Sequence, residues 1–235
     1  MGAPVYMIGG GKGGVGKSLV SIALVDYLIQ STLPVHLVDA DSENPDVAKA
    51  LTKSIPVHLI NLDVADGWSE LIDVAAEHPD AVLVINTPAR SGKGFQMNGE
   101  LLSMACKELR REMTTLWVIN RQRDSLELLN KYLNTVQQST THVVLNLYFG
   151  EANQFTLYEN SQVKKRVTEQ GGVDLLFPEV ASRVTDQLNA QRLSVAEGMQ
   201  ALSLGNRLEL QRWRKKTQVA FDKVIDIESI KGVAA

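Results

Sequence analysis

The sequence predicts an α/β fold: a doubly wound, mostly parallel β-sheet flanked by helices, ending in a helical C-terminus. Three observations carry this. Short apolar runs recur along the first three quarters of the chain, near-continuous rather than alternating, as strands covered on both faces require. Helix-length segments separate them, so successive strands join through right-handed crossovers. After about residue 180 the runs stop and the pattern turns helical.

The elements follow in order. PVYMI at 4–8 reads as the first strand, followed by a glycine-rich loop and a helix over about 17–30. VHLVDA (35–40), VHLINL (57–62), AVLVIN (81–86), TLWVIN (115–120), HVVLNL (142–147) and VDLLF (173–177) read as the remaining strands. Helices are expected at about 66–77, 94–111, 124–138 and 155–169, then at 181–190, 194–203 and 206–226. Neither repeats nor a low-complexity linker interrupt the chain. Residues 1–235 therefore read as a single domain, with a C-terminal helical segment at about 181–227.

With 235 residues the chain is long enough to bury a core without disulfides or a structural metal. The formal net charge is −3, so attraction to nucleic acid needs a local basic patch. The single cysteine, Cys106, excludes an internal disulfide and reads as a buried, inert thiol. No run approaches the roughly 20 apolar residues of a membrane span. The N-terminus has no basic leader, and Tyr6 stands where a myristoylation motif wants Ser or Thr. The expected location is cytoplasmic.

GKGGVGKS, from Gly11 to Ser18, matches G-x-x-x-x-G-K-[ST] between the first strand and the first helix, the context that the motif requires. Glycines let backbone N–H groups converge on phosphates where side chains would block the approach. The helix beginning near Gly16 adds its positive end. The nucleotide-binding set is therefore Gly11, Lys12, Gly13, Gly14, Val15, Gly16, Lys17, Ser18 and Leu19. Lys17 is expected on the β- and γ-phosphates, and the Ser18 hydroxyl on Mg2+. The fold thus reads as a P-loop NTPase, with ATP and Mg2+ as its cofactors.

Lys12 makes the loop particular. Lys12, Gly13, Gly14, Val15, Gly16, Lys17 and Ser18 resemble the deviant loop K-G-G-x-G-K-[ST] of the ParA/MinD family of dimeric ATPases. The resemblance covers most of 5–180 and implies that Lys12 crosses a dimer interface to the partner's nucleotide. The alternative reading of Lys12 is a solvated loop lysine that adds unspecific positive charge. In LVDADSENPDV, Asp39 and Asp41 alternate and share a face at the carboxyl end of a strand. The family's D-x-D implies that Asp41 orients the attacking water and that Asp39 lies near the metal. Asp41 also fits a helix N-cap or Asx turn ahead of NPDVAKAL.

AVLVINTPAR resembles the family's Walker B strand and following switch, but Asn86 stands where an aspartate is usual. An amide still accepts a hydrogen bond from a metal-bound water, yet carries no charge, so slow hydrolysis is expected. The segment TPARSGKG reads as a nucleotide-sensing switch. Asn146 stands where relatives meet adenine, and Pro178 and Glu179 in LFPEVASR resemble the purine-side loop. All three also read as polar or turn residues ending strands. No N-K-x-D guanine signature occurs, so ATP is preferred to GTP.

On the last long helix Leu210, Trp213, Ala220, Phe221 and Val224 form an apolar stripe. Arg212, Lys215, Lys216 and Lys223 lie roughly opposite. They read as a solvated basic face or as a patch for nonspecific double-stranded DNA, to which QVKKRV at 162–167 adds charge. The mixed-charge ending DIESIKGVAA argues against a membrane-binding tail. Resemblance to short plasmid-encoded ParA-like proteins implies an ATP-dependent homodimer that binds DNA and is released by adaptor-stimulated hydrolysis. Plasmid partition, stability or conjugative transfer is the implied role. Two rivals stand: a metabolic ATP-dependent enzyme on the same fold, and a nucleotide-bound scaffold that does not hydrolyse.

Overall fold

A computed structural model describes residues 1–89, 92–136 and 139–234. The strands are β1 (Val5–Gly9), β2 (Val35–Asp39), β3 (Val57–Leu59), β4 (Val82–Asn86), β5 (Met113–Ile119), β6 (Thr140–Asn146) and β7 (Asp174–Phe177). They form one sheet in the order β3-β2-β4-β1-β5-β6-β7, every neighbouring pair parallel. The chain winds outward from β1 in one direction through β2 and β3, then in the other through β5, β6 and β7. The loop after β1 therefore opens at the switch point, at the carboxyl ends of the strands.

The helices are α1 (Lys17–Gln30), α2 (Asp46–Leu51), α3 (Ala65–Glu77), α4 (Gly92–Glu108), α5 (Arg123–Thr135), α6 (Thr156–Glu159), α7 (Gln162–Glu169), α8 (Ser182–Gln191), α9 (Val195–Ala201), α10 (Leu204–Phe221) and α11 (Ile227–Ala234). One face of the sheet is covered by α1, α2 and the C-terminal helices, through Leu24, Leu28, Leu210, Trp213 and Phe221. The other face meets α3, α4, α5 and α7, through Trp68, Leu71, Phe95, Leu129 and Val167. α1 lies between the sheet and α10, which explains why it is apolar on most of its surface.

Departures from the expected boundaries have local causes. The third strand stops at Leu59 instead of residue 62 because Asn61 folds back, its Oδ1 accepting the Asp63 N–H at 2.9 Å. The helix expected at 155–169 is two, since Ser161 caps α7 by accepting the Lys164 N–H at 3.1 Å. α5 ends at Thr135, and residues 137–138 of its expected span lie outside the described residues. α10 ends at Phe221, so Val224 sits half-buried beyond the helix.

Two helices were not expected. α2 starts at a position with no local side-chain cap, and its cap is remote: Asp39 Oδ2, at the end of β2, accepts the Ala48 N–H at 2.9 Å. α11 starts where Asp226 Oδ1 accepts the Ser229 N–H at 3.1 Å, and Ile230 buries its apolar side. Among the described residues, no helix is long and apolar enough to cross a membrane.

Candidate functional site

The loop between β1 and α1 bends through positive φ at Gly10 (154°), Gly14 (75°) and Gly16 (105°). Side chains disfavour that region, so glycine is required there. A Cβ on Gly14 would meet no heavy atom within 4 Å, which leaves its backbone open to an incoming group. A Cβ on Gly16 would overlap the amide of Asn146.

The two lysines leave the loop in different directions. Lys17 is only 8 % exposed and donates to its own loop, at the Lys12 carbonyl oxygen, over 3.3 Å. Burial holds its ammonium below the usual lysine range, against an opposing pull from the Asp41 carboxylate. Lys12 is half-exposed and reaches the start of α5, donating to Gln122 Oε1 and, at 3.1 Å, to Asp124 Oδ2.

Asp39 and Asn86 end adjacent strands and are paired in register. Both are buried, and Asn86 Nδ2 donates to Asp39 Oδ1 at 2.9 Å. Ser21, one turn into α1, donates to Asn86 Oδ1 at 3.0 Å. Asp39 also accepts from the backbone N–H groups of Asp41 (3.3 Å) and Ala48 (2.9 Å). Burial nonetheless raises its carboxyl pKa, and these hydrogen bonds only partly offset that. Asp41 is half-buried, and its Oδ1 accepts the Asn44 N–H at 3.2 Å, an Asx-type turn. Thr87 donates to the Ile8 carbonyl at 2.8 Å, fastening the start of the next loop to β1. Of that expected switch segment, Arg90 and Ser91 lie outside the described residues.

On the far side of the loop, Asn146 Nδ2 donates to the Val15 carbonyl at 2.8 Å, and its Oδ1 accepts the Tyr148 N–H at 3.1 Å. One amide N–H remains for another acceptor. Pro178 is buried, its carbonyl accepting from Trp213 Nε1 at 2.9 Å, while Glu179 is exposed. Asn146 and Phe177 are partners in register, so Pro178 and Glu179 continue the same end of the sheet. Gly11 to Leu19, Asp39, Asp41, Asn86, Asn146 and Pro178 thus share the carboxyl-end rim.

The loop's open backbone, its inward lysine and the exposed Ser18 hydroxyl fit a Mg2+-bound nucleoside triphosphate. Ser18 and Asp41 are the oxygen donors open to an ion, whereas each oxygen of Asp39 already accepts an N–H.

The chain matches the CobQ/CobB/MinD/ParA nucleotide binding domain over residues 6–176. It belongs to that family. Protein MobD of Acidithiobacillus ferrooxidans is 47 % identical over 225 residues, covering 96 % of this chain and 99 % of that one. MinD cell division protein of Aquifex aeolicus superposes with a TM-score of 0.55 at 16 % identity, covering 89 % of this chain and 95 % of that one. A nucleotide-binding protein of Archaeoglobus fulgidus, solved in complex with ADP, gives 0.50 at 16 % identity, covering 82 % and 88 %. The seven-stranded MinD-type fold with its helical C-terminus is therefore shared.

Sequence reasoning missed Ser21, Gln122 and Asp124. Ser21 had a faint signal, standing one helical turn beyond Ser18 on the helix that leaves the loop. Gln122 and Asp124 had none, because their partner Lys12 is more than a hundred positions away.

Arg212, Lys215 and Lys216 on α10 and Lys223, two residues past its end, are all exposed, with Arg212 held to Glu209 at 2.6 Å. QVKKRV does not extend that surface. α7 packs on α5 and β6, across the sheet from α10, and Lys164 pairs with Glu159 and with Asp174 (3.1 Å). Cys106 is buried, with its thiol pKa raised by that burial.

Proposed function

We propose that this chain is a slowly hydrolysing, ATP-dependent dimeric switch serving plasmid partition, stability or conjugative transfer. The observation that supports it best is the divergence of the two loop lysines, Lys17 inward and Lys12 outward to α5. An inward lysine serves the chain's own phosphates, and an outward one, on leaving Gln122 and Asp124, reaches a second copy's nucleotide.

In this reading, backbone N–H groups from Gly13 to Ser18 hold the β- and γ-phosphates, and Lys17 exchanges the Lys12 carbonyl for a phosphate oxygen. Mg2+, when bound, supplies the charge that neutralises those phosphates. Ser18 orients the ion, Asp41 orients the attacking water, and Asp39 holds the rim rigid through Asn86 and Ala48. Asn146 places its remaining N–H toward the base, with Pro178 and Glu179 beside it. The ATP-bound homodimer presents Arg212, Lys215, Lys216 and Lys223 to double-stranded DNA, and an adaptor protein accelerates turnover. The site of action is cytoplasmic, with residues 1–235 acting as one domain.

One observation favours a second reading. Asn86 is neutral, and its amide is bonded to Ser21 through its oxygen and to Asp39 through one N–H, which suits a nucleotide-bound scaffold that does not turn over. ATP turnover and sedimentation, with and without nonspecific DNA, separate the two for wild type, Lys12→Ala, Lys17→Ala and Asp41→Ala. The switch reading expects ATP-driven dimers that bind DNA. It also expects Lys17→Ala to lose nucleotide, Lys12→Ala to lose dimers, and Asp41→Ala to trap them. ATP binding without dimers or DNA complexes defeats it.

A further inference from the structure

Three of the four histidines in the chain, His36, His58 and His78, converge at the edge of the sheet. They come from β2, from β3 and from the residue that ends α3. One ring nitrogen from each lies within 4.8 Å of the others. The register explains the meeting: Val38 pairs with His58, so His36, two residues before Val38, lies diagonally opposite on the same face. That face is the one covered by α3, whose last turn brings His78 alongside. His36 is three residues before Asp39, so the cluster sits about 10 Å along the strand from the carboxyl-end rim.

We propose that His36, His58 and His78 form a binding site for a divalent transition-metal ion of the zinc class, with solvent completing the coordination. Imidazole nitrogen is the donor such ions select, and three of them with an open position is an established donor set for zinc. With Zn–N bonds of 2.0–2.1 Å, a tetrahedral ion holds its nitrogens about 3.3 Å apart. His36 Nδ1 and His58 Nε2 already stand 3.1 Å apart. The ring of His36 lies 4.0 Å from that of His78 between centroids, tilted by 40°. No side-chain hydrogen bond holds the His78 ring among the described residues, so small rotations bring its nitrogen in.

The surroundings support the same arrangement. Burial, followed by the neighbouring imidazoles, brings the His36 pKa down to about 4, and the same causes lower that of His58. Both rings are therefore neutral at neutral pH, and the one that donates in the His36–His58 hydrogen bond offers its nitrogen to a metal after a tautomer shift. Glu70 and Glu77, on α3, act on His58 electrostatically and favour an added cation. Arg111 opposes it, but its guanidinium is turned onto carbonyl oxygens, donating to those of Ala3, Ala75, His78 and Ala81. Its 3.1 Å bond to the His78 carbonyl fixes the backbone from which that ring projects. β3 is a three-residue edge strand with one strand neighbour, and an ion here would tie it to β2 and to the end of α3.

The test uses the full chain without a polyhistidine tag, stripped of metal, free of nucleotide and in excess Mg2+. Zn2+ is titrated calorimetrically against a competing chelator, and Co2+ is followed by its visible ligand-field absorption. The expected result is one ion per chain with a tetrahedral Co2+ spectrum. His58→Ala and His78→Gln should each weaken affinity at least about tenfold while ATP affinity is retained, and Ser18→Ala should leave metal uptake unchanged. No uptake below millimolar metal, uptake that survives both histidine substitutions, or uptake lost in Ser18→Ala overturns the proposal. Zn2+ should also raise the unfolding temperature of wild type but not of His58→Ala, which separates a lost ligand from a lost fold.

Discussion

The side-chain amide of Asn86 donates to Asp39 Oδ1 at 2.9 Å while its oxygen accepts from Ser21, so a neutral residue carries a buried carboxylate on the rim. Both side chains are about 1 % exposed. An aspartate at position 86 would put two carboxylates at hydrogen-bonding distance without water between them, and one would have to bind a proton. Asn86→Asp should therefore lower stability at pH 7 by about 1–3 kcal/mol, the cost of losing the donor and adding a like charge. The loss should shrink as pH falls toward 5, because protonation restores a donor between the two groups. Urea unfolding at both pH values measures this, and equal losses at both would show that the amide is not what holds Asp39.

Lys12 begins its work already bonded. Its ammonium lies against Gln122 Oε1 and Asp124 Oδ2, and a lysine acting across a dimer interface must leave both. The pair is half-exposed, and exposed ion pairs contribute at most about 1 kcal/mol. Asp124→Ala should thus raise the ATP-dependent dimer fraction by no more than about fivefold, and the gain should vanish in the Lys12→Ala background. Sedimentation equilibrium with ATP and Mg2+ reads both. A gain that persists without Lys12 would place the effect of Asp124 elsewhere.

The sequence was most informative where chemistry and local geometry coincide. The run from Gly11 to Ser18 marks both a phosphate loop and the start of a helix, and the apolar runs mark strands because both faces of the sheet are covered. It was silent where one element completes another at a distance. α2 has no capping side chain of its own and borrows Asp39, nine residues earlier, so its local sign is limited to the turn at Asp41. Lys12 finds Gln122 and Asp124, and β2 meets β3 so as to bring His36 to His58, only once the sheet is assembled. Asp226 ahead of Ser229 did signal a helix start, and the mixed charge of the tail obscured it.

α1 is fastened to α10 by a fork-to-fork ion pair. Arg214 Nε and Nη2 donate to the two carboxylate oxygens of Asp26 at 2.7 Å each, and Gln30 adds a third donor at 2.8 Å. The Asp26 side chain is 9 % exposed and that of Arg214 21 %, so little water screens them. Asp26→Ala leaves a guanidinium half-buried without its partner and should cost about 2–3 kcal/mol. Arg214→Met, which keeps the stem and removes the charge, should cost a similar amount by stranding the carboxylate. Thermal unfolding of the single and double variants forms a cycle, and simple additivity would mean that the two groups do not stabilise each other.

His142, on β6, is buried, and its Nδ1 accepts the Val173 N–H at 3.1 Å. Burial holds its pKa below the usual histidine value, so the ring stays neutral in the folded chain while the unfolded chain takes up a proton first. The unfolded state then binds more protons below about pH 6.5, and stability falls as pH drops through that value. The contribution of this one ring is full above that value and declines by at most about 1.4 kcal/mol per pH unit below it. His142→Gln removes the titrating group and should flatten the dependence of stability on pH between 7 and 5 relative to wild type. Urea midpoints across that interval, compared between the two chains, isolate the effect from other histidines. Parallel curves would mean that the ring is already charged in the folded state, which an accepting Nδ1 does not permit.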